Sequence, residues 1–165
     1  RGAYSIANEY KISTKEAQQM IDKWMEKVPK AGEFIKKYRN MIRTSEVAKS
    51  VFGKQRRFYI ITEDNKNKLE NENCNFIIQS SSSDMTLSSG IVVDNILRKK
   101  SIGCVLNLIH DSILVECKED KVEETIEVMR KVMETLPKLI FKTNMPFRAS
   151  FEISNTGWGN KKKKT

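Results

Sequence analysis

Residues 104–118 read CVLNLIHDSILVECK. Two short apolar runs, Val105–Ile109 and Ile113–Val115, flank the polar triplet His110, Asp111 and Ser112. Each run is aliphatic or β-branched and short enough for a strand, and the triplet has room for a tight turn. The stretch therefore predicts a β-hairpin. Such a hairpin would place an imidazole and a carboxylate at the tip of a buried two-stranded ribbon. An ionised Asp beside an apolar core needs a partner: a metal ion, a cationic ligand or a basic side chain. The plainer alternative is an ordinary turn with Asp as a turn former. The residues of the hairpin alone leave both open.

Downstream, Glu119–Leu136 predicts an amphipathic helix whose apolar stripe is Val122, Ile126, Met129, Val132, Met133 and Leu136, with Pro137 as its stop. Phe147–Ile153 alternates apolar and polar residues and predicts a further antiparallel strand. Asn155–Asn160 is Gly-rich, with Trp158 as an anchor, and residues 161–165 read as a basic disordered tail.

Upstream, residues 75–100 read NFIIQSSSSDMTLSSGIVVDNILRKK and suit a helix that packs through small residues. On that helix Asn75 and Gln79 share a face. Two neutral amides side by side can read hydrogen-bond acceptors in a groove, or they are two solvated polar residues. Glu63–Asn73 is a loop or the start of the helix. In Val47–Ile61, Gly53 breaks an extended segment, and Lys54, Arg56 and Arg57 cluster beside Phe52, Phe58 and Tyr59. This is a turn with a basic tip, suited to phosphate contact or simply solvated.

Gly32–Thr44 predicts a helix with Phe34, Ile35, Tyr38, Met41 and Ile42 inward and Lys36, Lys37, Arg39 and Arg43 outward. Before it, Ser13 and Glu16 form a capping box for a helix with Ala17, Met20, Ile21, Trp24, Met25 and Val28 on its inner face. Pro29 ends or kinks that helix, and Arg1–Tyr10 is a short helical piece.

The chain has 165 residues with 39% hydrophobic and 31% charged content, which suits one globular domain over residues 1–160. No apolar run approaches the roughly 20 residues of a membrane span, and no secretory signal is visible, so no membrane partner is expected. The three cysteines, Cys74, Cys104 and Cys117, are widely spaced and show neither a zinc pattern nor a disulfide framework. They suit a reducing, cytoplasmic compartment. Of the net charge of +9, four charges lie in Lys161–Lys164, leaving +5 on the remainder. That balance favours a polyanionic partner, most simply nucleic acid.

In this order the motifs resemble the C-terminal, palm-and-fingers part of a family A (polymerase I-like) DNA polymerase, with wording closest to phage-encoded members. GAYSIANEYKISTKEAQ is similar to the fingers segment that follows the Tyr-Gly of the nucleotide-binding helix. VFGKQRR is similar to the family's LFGRRR turn. NFIIQSSSSD is similar to its N-x-P-x-Q helix, and LIHDSILVE to motif C, usually VHDE and sometimes VHDS in phage enzymes. Gly157-Trp158 also fits. The resemblance implies an α+β fold: a helical fingers segment, then a helix, the motif C hairpin, a helix and a further antiparallel strand. It implies DNA-directed DNA polymerase activity by two-metal nucleotidyl transfer, with two Mg²⁺ ions in the complete site. Asp111 would ligate metal, with His110 at the primer terminus and Ser112 beside them in the catalytic group. Asn75 and Gln79 would touch the minor groove at the terminal base pair, and Lys54, Arg56 and Arg57 would hold phosphates. Primer-template DNA and deoxynucleoside triphosphates would be the partners, in the host cytoplasm for a phage-encoded chain.

Three positions depart from the pattern. Ser112 stands where Glu is usual, Asn71 where a DNA-contacting Arg is common, and Ile77 where Pro is usual. The family's motif A, with its essential Asp, falls before Arg1, as does the nucleotide-binding helix. The chain alone is therefore expected to be inactive and to need a second polypeptide or an upstream region. The alternatives are a non-catalytic DNA-binding relic, which Ser112 would record, or a structural subunit of a replication complex.

Overall fold

The computed structural model describes residues 2–44 and 47–164, the side chains of Arg43 and Trp158 excepted. The proposed Trp158 anchor and part of the basic face of the Gly32–Thr44 helix thus lie outside the described side chains. In chain order come α1 (Ala3–Tyr10), α2 (Thr14–Lys27), α3 (Pro29–Arg43), β1 (Ala48–Lys49), β2 (Gln55–Arg56), α4 (Glu63–Lys99), β3 (Gly103–Ile109), β4 (Ser112–Cys117), α5 (Val122–Phe141), β5 (Phe151–Ile153) and β6 (Lys162–Lys164). The architecture is α+β, with the strands in three separate antiparallel pairs, β1–β2, β3–β4 and β5–β6. Where the sequence suggests one body, contacts divide the chain into two compact units, residues 1–77 and 78–165, and α4 runs through both. Among the described residues no helix is long and apolar enough to cross a membrane.

In the first unit, the Ser13 hydroxyl accepts the Glu16 backbone N–H at 3.2 Å, and the Glu16 carboxylate accepts the Ser13 N–H at 2.9 Å. This is the expected capping box, and the Ser13 hydroxyl bond holds the Glu16 carboxyl below its ordinary range. Pro29 ends α2 and begins α3, where a helix needs no N–H from its first residue. The expected inner face of α2 is only partly inner. Ala17 is buried and Ile21 and Met25 are half-buried, but Met20, Trp24 and Val28 stand exposed. Among the described residues nothing covers them fully, since a stripe marks where packing is possible and does not supply its partner. On α3, Ile42 is buried and Phe34, Ile35, Tyr38 and Met41 are half-buried, with the Phe34 and Tyr38 rings 4.5 Å apart. Ala48 pairs with Arg56 and Lys49 with Gln55, and Gly53 turns the chain between them at φ +82°, where a side chain would be strained.

The polar run from Glu63 is helical rather than a loop, and α4 reaches 37 residues. It lacks a clean apolar stripe. Glu70, Asn73, Ser81, Asp84 and Ser89 are buried on it, while Ile78, Leu87 and Ile91 are exposed.

The second unit is built on Val93 and Leu97 of α4, Ile102, Ile126, Met129 and Val132 of α5, and Phe151, which together form its core. Val105, Ile113 and Val115 of the hairpin pack against that core. Close approach of α4 to β3 depends on Gly90: a Cβ there would stand 2.8 Å from Leu108 Cδ2. The register shifts between Val105 and Asn107, and Leu106, at the irregularity, points to solvent.

Two expectations fail in this unit. Pro137 does not stop α5, which continues to Phe141 with Pro137 inside and buried. A proline removes one N–H from the helix ladder. Here the ring's burial and the packing beyond it, where Phe141 stacks on Phe147 at 6.1 Å, offset that loss. The helix closes at Lys142, which is left-handed and donates its N–H to the Lys138 carbonyl. The tail is not disordered through Lys164. Lys162–Lys164 pairs with Ile153–Phe151, Lys161 lies 3.3 Å from Glu152, and Lys164 pairs with Glu123. The predicted strand correspondingly shrinks to Phe151–Ile153, the part that has a partner.

Candidate functional site

Ile109 pairs with Ser112, so His110 and Asp111 form the whole loop of the β3–β4 hairpin. His110 sits at φ +56°. An L-residue held there costs about 1–2 kcal/mol relative to the right-handed region, which is tolerated where geometry serves a purpose. The tip differs from expectation in one respect. His110, Asp111 and Ser112 are all exposed, and the strands are at most half-buried, because the ribbon is packed on one face only. Water can solvate the Asp111 carboxylate in this chain. Burial therefore does not by itself demand a cation at Asp111.

The hairpin is fastened to α4 by a residue that the sequence reading passed over. Asp94 accepts the Val105 N–H at 2.8 Å and the Arg98 Nε–H at 2.7 Å. The Arg98 bond first, and the Val105 bond second, hold its carboxyl below the ordinary range. The acid-base spacing of four on a helix was the available signal. A carboxyl depressed on folding adds stability above its ordinary value of about 3.9, and that stability is lost as pH falls through the lower folded value. As pH falls below that ordinary value, the Val105 amide should therefore lose protection from hydrogen exchange in the native chain. In Asp94→Asn its protection should be lower at neutral pH and flatter with pH, as amide exchange followed by NMR will show.

The basic turn is not a uniform cluster. Arg56 Nη2 bonds Glu72 Oε2 at 2.6 Å, and the Arg56 guanidinium lies 5.1 Å from the Phe58 ring centre and 6.0 Å from that of Phe76. One edge of its guanidinium is thus engaged inside the first unit, while the side chain stays 41% exposed. Lys54 and Arg57 are exposed. Asn71 is exposed on α4, and its side-chain oxygen accepts the Arg39 Nη2–H at 2.9 Å. Arg39 is thus partly drawn from the outward basic face to the position where the sequence lacks a cation. Asn75 is exposed in the part of α4 that belongs to the first unit, and Gln79 in the part that belongs to the second.

The donor set for a metal is incomplete. Among the described residues, no group of three or more His, Cys, Asp or Glu is placed to hold an ion. Asp111 offers one carboxylate and Ser112 a hydroxyl, which fall short of a two-ion site.

Helices followed by a carboxylate-tipped antiparallel hairpin packed on a long helix define a partial polymerase palm and fingers. The model for DNA polymerase family A matches residues 1–160, and the chain belongs to that family. The DNA polymerase I of Borreliella burgdorferi is 28% identical over 162 residues, covering 94% of this chain and 17% of that protein. The DNA polymerase I of Aquifex aeolicus is 40% identical over 73 residues, 44% of this chain and 13% of that protein. The DNA polymerase of Bacillus phage SP01 is 27% identical over 129 residues, 76% of this chain and 14% of that protein. The chain thus spans less than a fifth of these curated relatives. Among solved structures, the POL domain of Pol1 from M. smegmatis, in complex with DNA primer-template and dNTP, matches 88% of this chain and 26% of its own. Its TM-score is 0.78 at 21% identity, a likeness of fold.

Proposed function

We propose that this chain is the C-terminal palm-and-fingers portion of a template-directed DNA polymerase that adds deoxynucleotides to a primer 3′ end. The hairpin tip carries the reading: a two-residue loop, whose sequence resembles the family's motif C, holds His110 in a strained conformation and exposes Asp111. Primer-template DNA and deoxynucleoside triphosphates are the partners in this reading. Asp111 supplies one carboxylate to a site for two Mg²⁺ ions, whose chemistry is to activate the primer hydroxyl and neutralise the triphosphate. The other ligands come from a second polypeptide or an upstream region.

The residues present then have the following tasks. His110, beside Asp111, meets the primer terminus, and Ser112 offers a hydroxyl where a second carboxylate is usual. Asn75 and Gln79 face the minor groove, where acceptors are nearly alike for all base pairs, so that they sense pair geometry rather than sequence. Lys54 and Arg57 neutralise backbone phosphates. Asn71, engaged by Arg39, presents that guanidinium beside the DNA.

A second reading, a DNA-binding relic without catalysis, draws on Ser112. One assay separates the two. The chain alone should give no primer extension. Mixed with a polypeptide carrying the preceding polymerase segment, it should extend a primer in the presence of Mg²⁺. Failure to restore extension, or restored extension that persists in Asp111→Ala, rejects the catalytic reading.

A further inference from the structure

The geometry points to a stacking site for one unpaired nucleotide of single-stranded DNA, built from Tyr59 and Arg57 in the first unit. This rests on the DNA reading above and names a subsite within it. After β2 the chain alternates. Arg56 and Phe58 turn inward, where the guanidinium lies over the ring and bonds Glu72. Arg57 and Tyr59 are both exposed and line one cleft. Between them and α3 lies a cleft of about 220 Å³ with Met41 and Ile42 on one wall and Arg57, Phe58, Tyr59 and Ile61 on the other.

Tyr59 is 88% exposed and Ile60 76% exposed, more than any other large apolar side chains described. A solvated aromatic ring that lines a cleft together with an exposed Arg is poorly used by folding. It is well used by a base, which offers a flat π face, and by the attached phosphate, which offers a negative charge. An apolar peptide side chain would fit the slot equally, but it would make no use of the Arg57 charge on the cleft wall.

The test uses the full chain and three probes at fixed salt: an oligothymidylate, an abasic phosphodiester of the same length and a blunt duplex. The native chain should bind the thymidylate more tightly than the abasic strand. Tyr59→Ala should weaken thymidylate binding about tenfold and leave the abasic strand unchanged, and Tyr59→Phe should retain affinity. Arg57→Ala should weaken both strands and lower the salt slope by about 0.7. Because Tyr59 is exposed, the melting temperature should be unchanged. Equal affinity of the native chain for both strands, or a Tyr59→Ala effect that is absent or equal on both, overturns the site. Binding to the duplex alone overturns the site and leaves the DNA reading standing. Binding to none of the three overturns both.

Discussion

Asp111→Asn should reduce primer extension by the completed enzyme by about a thousandfold or more, with no measurable change in folding. The substitution keeps the shape of the side chain and removes the charge. If Asp111 ligates an ion that stabilises the transition state by several kcal/mol, each 1.36 kcal/mol lost is a factor of ten in rate. The second half of the expectation follows from exposure. Asp111 lies in the solvated loop of the hairpin and takes no part in the packing of β3 and β4. Surface substitutions of that kind usually change stability by less than about 0.5 kcal/mol. Single-turnover extension and a urea melt measure the two halves. A loss of activity accompanied by a destabilised hairpin would mean that Asp111 acts as a turn former, the alternative left open by its sequence.

Leu97→Ala should cost about 3–4 kcal/mol, the largest stability loss expected of a single truncation here. Leu97 and Val93 are fully buried, and Leu97 sits where α4, α5 and the β5 Phe151 converge. The cavity left behind cannot be filled easily, because Ile126 and Met129 are held on a regular helix. Against a total stability of about 5–15 kcal/mol, that loss should show as faster hydrogen exchange across β3, β4 and α5 and as a lower urea midpoint. Leu106→Ala is the control: its side chain is 56% exposed at the irregularity in β3, and the loss should be a small fraction of that at Leu97. Similar losses at both positions would place the core elsewhere.

The hairpin was legible because both of its runs are short, aliphatic and closed by a polar triplet, all local properties. The α2 cap was legible for the same reason, since Ser13 and Glu16 need only each other. Helix α4 was harder to read. Its buried residues include Asn73, Asp84 and Ser89 and its exposed ones Ile78 and Ile91, so its polarity follows what surrounds each turn rather than a single stripe. A close approach of this helix is met at Gly90 against Leu108, whereas Ser82 and Ser83 of the serine run are exposed. The basic turn could not be apportioned from sequence. Arg56 and Arg57 are neighbours of one type, and only the presence of Glu72 and Phe76 on α4 engages Arg56 and not Arg57 within the first unit.

By itself the sequence determined most of the helical segments, where the loop of the hairpin falls, and through its ordered motifs the family. The tertiary structure alone decided that Met20, Trp24 and Asp111 are exposed, that α5 passes through Pro137, and that Lys162–Lys164 is a strand. The physical reason is that periodicity, caps and turns are settled by neighbours along the chain. Burial and strand pairing are settled by residues far away in sequence, and a pattern cannot show whether its partner is present.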